Sequence, residues 1–246
     1  MRSSLAAAAL LVMAHAAYAG SPPRGFVDAA TIIPGLVVEM RYTTPQNFIG
    51  RPIPGYKAPR CYLTKPAADA LKCAADGLRG HGYALKVYDC YRPQRAVNAF
   101  VAWGRDLRDQ KMKQAYYPDV DKRSLFHLNY IASRSGHSRG STVDLSMVPL
   151  ERKAALESSS ADIRACDSKA GARTDDGSAD MGTGFDCFSD MSHTASPRVS
   201  ETQRANRNLL RSFMRECGFY NNRSEWWHYT LRNEPYPSTF FDFPVE

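Results

Sequence analysis

His137 and Asp144 stand seven residues apart in the stretch SGHSRGSTVD, with Gly140 between them. An imidazole nitrogen and a carboxylate oxygen are zinc-type ligands, and a catalytic zinc site takes three protein ligands and keeps a fourth position for water or substrate. A bend at Gly140 would let both side chains reach one ion. Spacing alone favours the plainer reading, a His–Asp hydrogen bond beside a turn. The stretch SEWWHYTLRNEPYP adds Glu225 and His228, three apart and separated by two tryptophans. His228 is a candidate third ligand. Glu225 is a candidate general base, since water activated at a metal needs a carboxylate to take its proton as it attacks a carbonyl. Residues three apart on a regular strand face opposite sides, so the two can share a site only where a strand starts or bends. Arg92, in YDCYRPQRA, follows a run that reads as a strand and precedes Pro93. An arginine there could stabilise an oxyanion; alone, it is equally a surface arginine at a turn.

These residues need a scaffold. Val37–Tyr42, Tyr83–Tyr88, Thr142–Val148 and Trp226–Leu231 read as strands; Pro66–Leu78, Pro93–Leu107 and Thr202–Cys217 read as helices. On Thr142–Val148, Val143, Leu145 and Met147 share one face, and Asp144 lies on the other with Thr142 and Ser146. Residues 151–180 are polar and read as a long loop. Strands and helices mix without regular βαβ alternation, which indicates an α+β class.

Of the 246 residues, the first 19 read as a signal peptide: Arg2, the apolar run Leu5–Ala14, and Ala17-Tyr18-Ala19 as a cleavage site. Residues 20–246 then form one exported, periplasmic domain. No later apolar run is long enough for an integral membrane segment. The net charge is +7, but the basic residues are scattered, which argues against a nucleic-acid partner. Six cysteines in an exported chain permit disulfides; no C-x-x-C pair suggests a cysteine metal site. Cys166 and Cys187 flank the polar loop and are the preferred pair. His81, His127 and His193 read as surface or structural, His193 standing closest to the MGTGFDCF motif.

Together, SGHSRGSTVDL, YDCYRPQRAV, MGTGFDCF, YTTPQNFIG and EWWHYTLRNEPYPSTFFDFPV resemble the D-alanyl-D-alanine dipeptidases, zinc peptidases of vancomycin-resistance operons and peptidoglycan catabolism. The likeness runs from about Val37 to the carboxyl end. It implies a small single-domain metallopeptidase fold with a central antiparallel sheet and flanking helices, shared with D-Ala-D-Ala carboxypeptidases and the hedgehog signalling domain. It implies one Zn2+ per chain on His137, Asp144 and His228, Glu225 as base, Arg92 as transition-state arginine, and Tyr42, Ser135 and Asp186 holding the dipeptide, with Asp186 facing its ammonium. The implied partner is D-Ala-D-Ala itself, and the oligomeric state is left open. Thr142 stands where the family pattern has alanine. The leader departs from the cytoplasmic resistance-type members and points to wall turnover. The 151–180 stretch is longer than in compact members. A D,D-carboxypeptidase or L-Ala-D-Glu endopeptidase is the neighbouring alternative, disfavoured by Asp186, which a longer acyl-peptide would leave unpaired. A non-catalytic zinc module that binds wall fragments is the other, disfavoured by Glu225.

Overall fold

A computed structural model describes residues 22–152, 164–169 and 172–246. The expected leader, 1–19, and its cleavage point at Gly20 lie outside the described residues. So does part of the 151–180 loop, whose described residues form turns without helix or strand.

In chain order the elements are β1 (Phe26–Asp28), β2 (Val37–Val38), β3 (Tyr62–Thr64), α1 (Lys65–Arg79), β4 (Tyr83–Asp89), α2 (Gln94–Arg105), the single-turn α3 (Lys113–Tyr116), β5 (Thr142–Pro149), α4 (Glu201–Glu216), β6 (Phe219–Asn221) and β7 (His228–Leu231). This is the expected α+β class. The main sheet has the order β2-β4-β5-β7-β6, and β1 pairs with β3 in a separate ribbon. Four of the five strands pair antiparallel, as expected; the short edge strand β2 joins β4 in parallel.

α1 opens with Pro66 in its first turn, where a missing N–H costs nothing, and buries Ala67, Ala68, Leu71, Ala74, Ala75 and Leu78. α4 starts with a capping box between Ser200 and Gln203 and buries Leu210 and Met214. The two helices touch closely at Gly77, where a Cβ would come within 2.5 Å of the Phe213 ring. Cys73 and Cys217 bridge them. Cys61–Cys90 and Cys166–Cys187 are also joined, the latter being the pair preferred from sequence.

Two strand readings change. Only Val37 and Val38 of the 37–42 run stay extended; Arg41–Thr43 coil into a 3-10 turn. There Arg41 pairs with Glu39 and Asp176, and Lys86 pairs with the same two carboxylates, so tertiary ion pairs outweigh the β-propensity of the run. The last strand begins at His228 instead of Trp226, because a turn bonding Glu225 N–H to the Asn222 carbonyl occupies the tryptophan pair's approach.

The register places the chemistry. Asp89 on β4 stands opposite Asp144 on β5, and Asp144 stands opposite His228 on β7. Three polar side chains therefore form one row across the sheet, at the end of β4 and the beginning of β7. β5 is buried on both faces: Val143, Leu145 and Met147 on one, Thr142, Asp144 and Ser146 on the other.

Candidate metal centre and substrate pocket

The Ser135–Asp144 bend is a capped turn. The Ser135 hydroxyl accepts the His137 N–H at 3.3 Å, Gly136–Arg139 make a 3-10 turn, and Gly140 ends it at φ +79°. Glycine is required there twice over: the backbone is left-handed, and a Cβ would meet the Phe26 ring at 2.2 Å. The turn sends His137 back towards β4. Its Nδ1–H donates to the Cys90 carbonyl at 2.7 Å, which leaves Nε2 free to face Asp144 and His228.

His137 Nε2 lies 3.2 Å from Asp144 Oδ1 and 3.3 Å from His228 Nδ1; His228 Nδ1 lies 3.0 Å from Asp144 Oδ1. Ligand atoms about 2.1 Å from a tetrahedral ion stand roughly 3.4 Å apart, so the triangle has the size a metal needs. Asp144 Oδ1 is buried, and no donor reaches it in hydrogen-bond geometry, an orphan that a cation would satisfy. These residues fit a divalent ion. Among the described residues they are the one His/Cys/Asp/Glu group with such geometry. Burial would push the Asp144 carboxyl up, but the two imidazoles outweigh it and hold it well below its usual range. Burial pulls His228 down, and Asp144 more than reverses this, so its imidazole holds a proton more tightly than usual. A metal would displace that proton.

Glu225 sits in the turn just before β7, which resolves the three-residue spacing: the strand starts at His228 and the carboxylate precedes it. Glu225 Oε2 is 3.4 Å from His228 Nδ1 and accepts from Asn222 Nδ2 at 3.0 Å. Burial, the largest effect, raises its carboxyl above the ordinary value, towards the range useful to a general base. Arg92 is held by Asp89, Nε to Oδ2 at 2.8 Å, and lies 3.6 Å from Asp144 Oδ2 and 3.5 Å from the Ser135 hydroxyl. Its guanidinium packs over the rings of Tyr42 and Phe100, 5.3 and 5.0 Å from their centroids.

Asp186 has φ +57°, uncommon for a residue other than glycine and found where structure over-determines the backbone. It is buried and accepts the Tyr42 hydroxyl on Oδ2 at 2.8 Å. Burial first, then the Asp144 charge, push its carboxyl well above the usual range. An arriving ammonium would relieve both. The neighbouring Phe185 stacks on Tyr88 at 4.6 Å, and Cys187 is tied to Cys166, so Asp186 is fixed on both sides.

Tyr42, Arg92, Ser135, Asp144, Asp186, Glu225 and His228 line one pocket of about 170 Å3, with His137 beneath them. That is below the ~300–1,000 Å3 of clefts for drug-sized ligands and suits a very small substrate. A larger cleft of about 840 Å3 lies on the side of the polar loop, but three of its arginines pair with carboxylates, in Arg41–Asp176, Arg152–Asp175 and Arg173–Asp180. His81, His127 and His193 are exposed and outside the pocket. Sequence reasoning passed over Asp89, although it lies inside the quoted YDCYRP motif; the alternation of β4 places it at the strand end beside Arg92. It also missed Asn222 and the pocket wall from Asn129 to Arg134, which carries no pattern of its own.

The Peptidase_M15 family model, described as D-ala-D-ala dipeptidase, matches residues 23–172 and 158–246. A D-alanyl-D-alanine dipeptidase of Streptomyces coelicolor is 38% identical over 220 residues, covering 89% of this chain and 96% of the relative. One of Enterococcus faecium is 36% identical, covering 90% and 98%, and one of Escherichia coli is 31% identical, covering 83% of each.

Proposed function

Because this chain belongs to the D-alanyl-D-alanine dipeptidase family, Peptidase_M15, we propose that it is a zinc dipeptidase that hydrolyses D-Ala-D-Ala to free D-alanine. The observation that carries this reading is the triangle of His137, Asp144 and His228, with Glu225 on one side and the Tyr42–Asp186 pair in the same small pocket.

His137 Nε2, Asp144 and His228 Nδ1 would hold the ion. Zinc, when bound, supplies Lewis-acid activation of water and of the scissile carbonyl. Glu225 takes the attacking water's proton and returns it to the leaving amine; its raised affinity for protons suits both steps. Arg92 donates to the oxygen that gains charge as the carbonyl becomes tetrahedral, and Asp89 fixes its Nε so that the Nη groups remain for that task. Asp186 receives the substrate ammonium, with Tyr42 orienting its carboxylate and Ser135 lining the same wall. A buried carboxylate left without a cation is costly, so an acylated amino end is disfavoured.

The family is one of metallopeptidases; the choice of zinc over other divalent ions rests on the two-imidazole, one-carboxylate set, common to catalytic zinc. The N-terminal leader pattern supports export and a role in turnover of wall peptides outside the inner membrane. No described helix is long and apolar enough to cross a membrane.

The test is incubation of pure, zinc-loaded protein with D-Ala-D-Ala, N-acetyl-D-Ala-D-Ala and L-Ala-D-Glu, counting amino acids released. The free dipeptide is expected to be cleaved at least about tenfold better than its acetylated form, since about 1.4 kcal/mol of unpaired-charge cost is tenfold. Equal kcat/KM for the two would favour a carboxypeptidase.

A further inference from the structure

A free dipeptide carries two charges, and the proposed site accounts for only one of them. The ammonium has Asp186. The carboxylate needs a cation, and two arginines line the pocket, Arg92 and Arg134. Arg92 is committed: Asp89 holds its Nε at 2.8 Å, and its Nη groups serve the carbonyl oxygen in the proposed reaction. Arg134 is different. Among the described residues no carboxylate pairs with it, and its guanidinium only leans over the Phe240 ring, 5.2 Å from the centroid. Arg139, which leans on the same ring at 5.9 Å, is already paired with Glu234 at 2.8 Å.

We infer that Arg134 is the residue that selects a free C-terminal carboxylate on the substrate. Its backbone is held in place on both sides. Gln94 Nε2 donates to the Ser133 carbonyl at 3.1 Å, and Ser135 caps the turn that carries His137. The side chain is exposed while Asp186 is buried, so the two opposite charges of the pocket wall lie at its solvent side and its interior. A dipeptide spans only about 7 Å at ~3.5 Å per residue, so a pocket of about 170 Å3 must meet both termini at once. A planar guanidinium free of other carboxylates can take a carboxylate through two parallel N–H donors. With Asp186 at one end and Arg134 at the other, the pocket measures length by charge: a peptide extended at either end loses a pairing.

This inference rests on the dipeptidase reading, and its test separates the two. Steady-state kinetics are measured for D-Ala-D-Ala and for its C-terminal amide, with wild type, Arg134→Ala, Arg134→Lys and Arg134→Glu. The residue is exposed, so the variants are expected to fold; zinc content and melting temperature check this. Wild type should prefer the free acid. Arg134→Ala should raise KM for the acid roughly fivefold with kcat within about twofold, as loss of a ground-state ion pair at an exposed site does, and leave the amide unchanged. Arg134→Lys should keep part of the preference, and Arg134→Glu should reverse it. An equal loss for acid and amide, or no loss for either, overturns the assignment of Arg134 and leaves the dipeptidase reading standing. A wild-type protein that turns over neither substrate overturns both.

Discussion

Asp89 gives the sharpest test of how the site is held. It has no solvent exposure, accepts the Tyr56 hydroxyl at 2.6 Å and holds Arg92 Nε at 2.8 Å. Asp89→Ala leaves an arginine whose side chain is only 12% exposed without its main counter-charge. Removing one member of a buried pair costs about 3–5 kcal/mol. Asp144, 3.6 Å from the guanidinium, compensates in part, which puts the expectation near the lower figure, about 3 kcal/mol. For a domain of this size that is a fall in Tm of roughly 6–12 °C. The assay is thermal unfolding of the metal-free, disulfide-intact protein. Activity should fall further than stability at room temperature explains: a displacement of about 1 Å in a positioning group can cost ~10²-fold in rate. Metal content should persist, because His137 Nδ1 is fixed by the Cys90 carbonyl at 2.7 Å while Asp89 stands 3.5 Å away. A Tm within about 2 °C of wild type, or an unchanged kcat, would refute the argument that Asp89 anchors Arg92.

Other expectations follow from the same geometry. His228→Ala should abolish most metal binding and turnover; full zinc occupancy by metal analysis would remove it from the ligand set. Glu225→Ala should retain zinc yet lose at least about 10²–10⁴-fold in kcat, and near-normal turnover would reject it as the base. Asp176 is partly buried, its side chain 20% exposed, which raises its carboxyl, but Lys86 and Arg41 outweigh that and hold it well below the ordinary range. Because the folded chain keeps this pKa below the unfolded value of about 3.9, its contribution is complete above that pH and fades as pH falls further. Asp176→Asn should therefore lower stability at pH 7 by about 1–3 kcal/mol, with the gap to wild type closing below about pH 4 in denaturant titrations; a gap independent of pH would contradict the ion-pair account.

The sequence was most legible where one residue type has one physical use. Gly140, Pro66 and the alternation of Thr142–Val148 each indicated their local structure, and the separated motifs indicated which side chains meet. The partners that hold those side chains were less visible. Asp89 stands only three residues before Arg92, but that it also faces Asp144 follows from the β4–β5 register, which local sequence does not encode. The 37–42 run looked like a strand until tertiary ion pairs to Lys86 and Asp176 coiled its second half. Arg134 carries no motif; its meaning comes from the carboxylate that is not beside it.

The three disulfides consume all six cysteines, and no free thiol remains. This bears on the order in which the protein matures. In a reduced chain, six thiols would compete with two imidazoles and one carboxylate for a thiophilic ion such as zinc, and metal held by an unfolded chain works against folding. Once oxidised, the chain offers no thiolate, and the nitrogen–oxygen triangle meets no cysteine rival. Cys90 takes part in both processes: its sulfur closes a disulfide with Cys61 while its carbonyl fixes the ring of His137. Oxidation before metal loading would thus clear the competitors and set the first ligand by one residue, and a chain supplied with zinc while still reduced should mature more slowly than one supplied after its disulfides have closed.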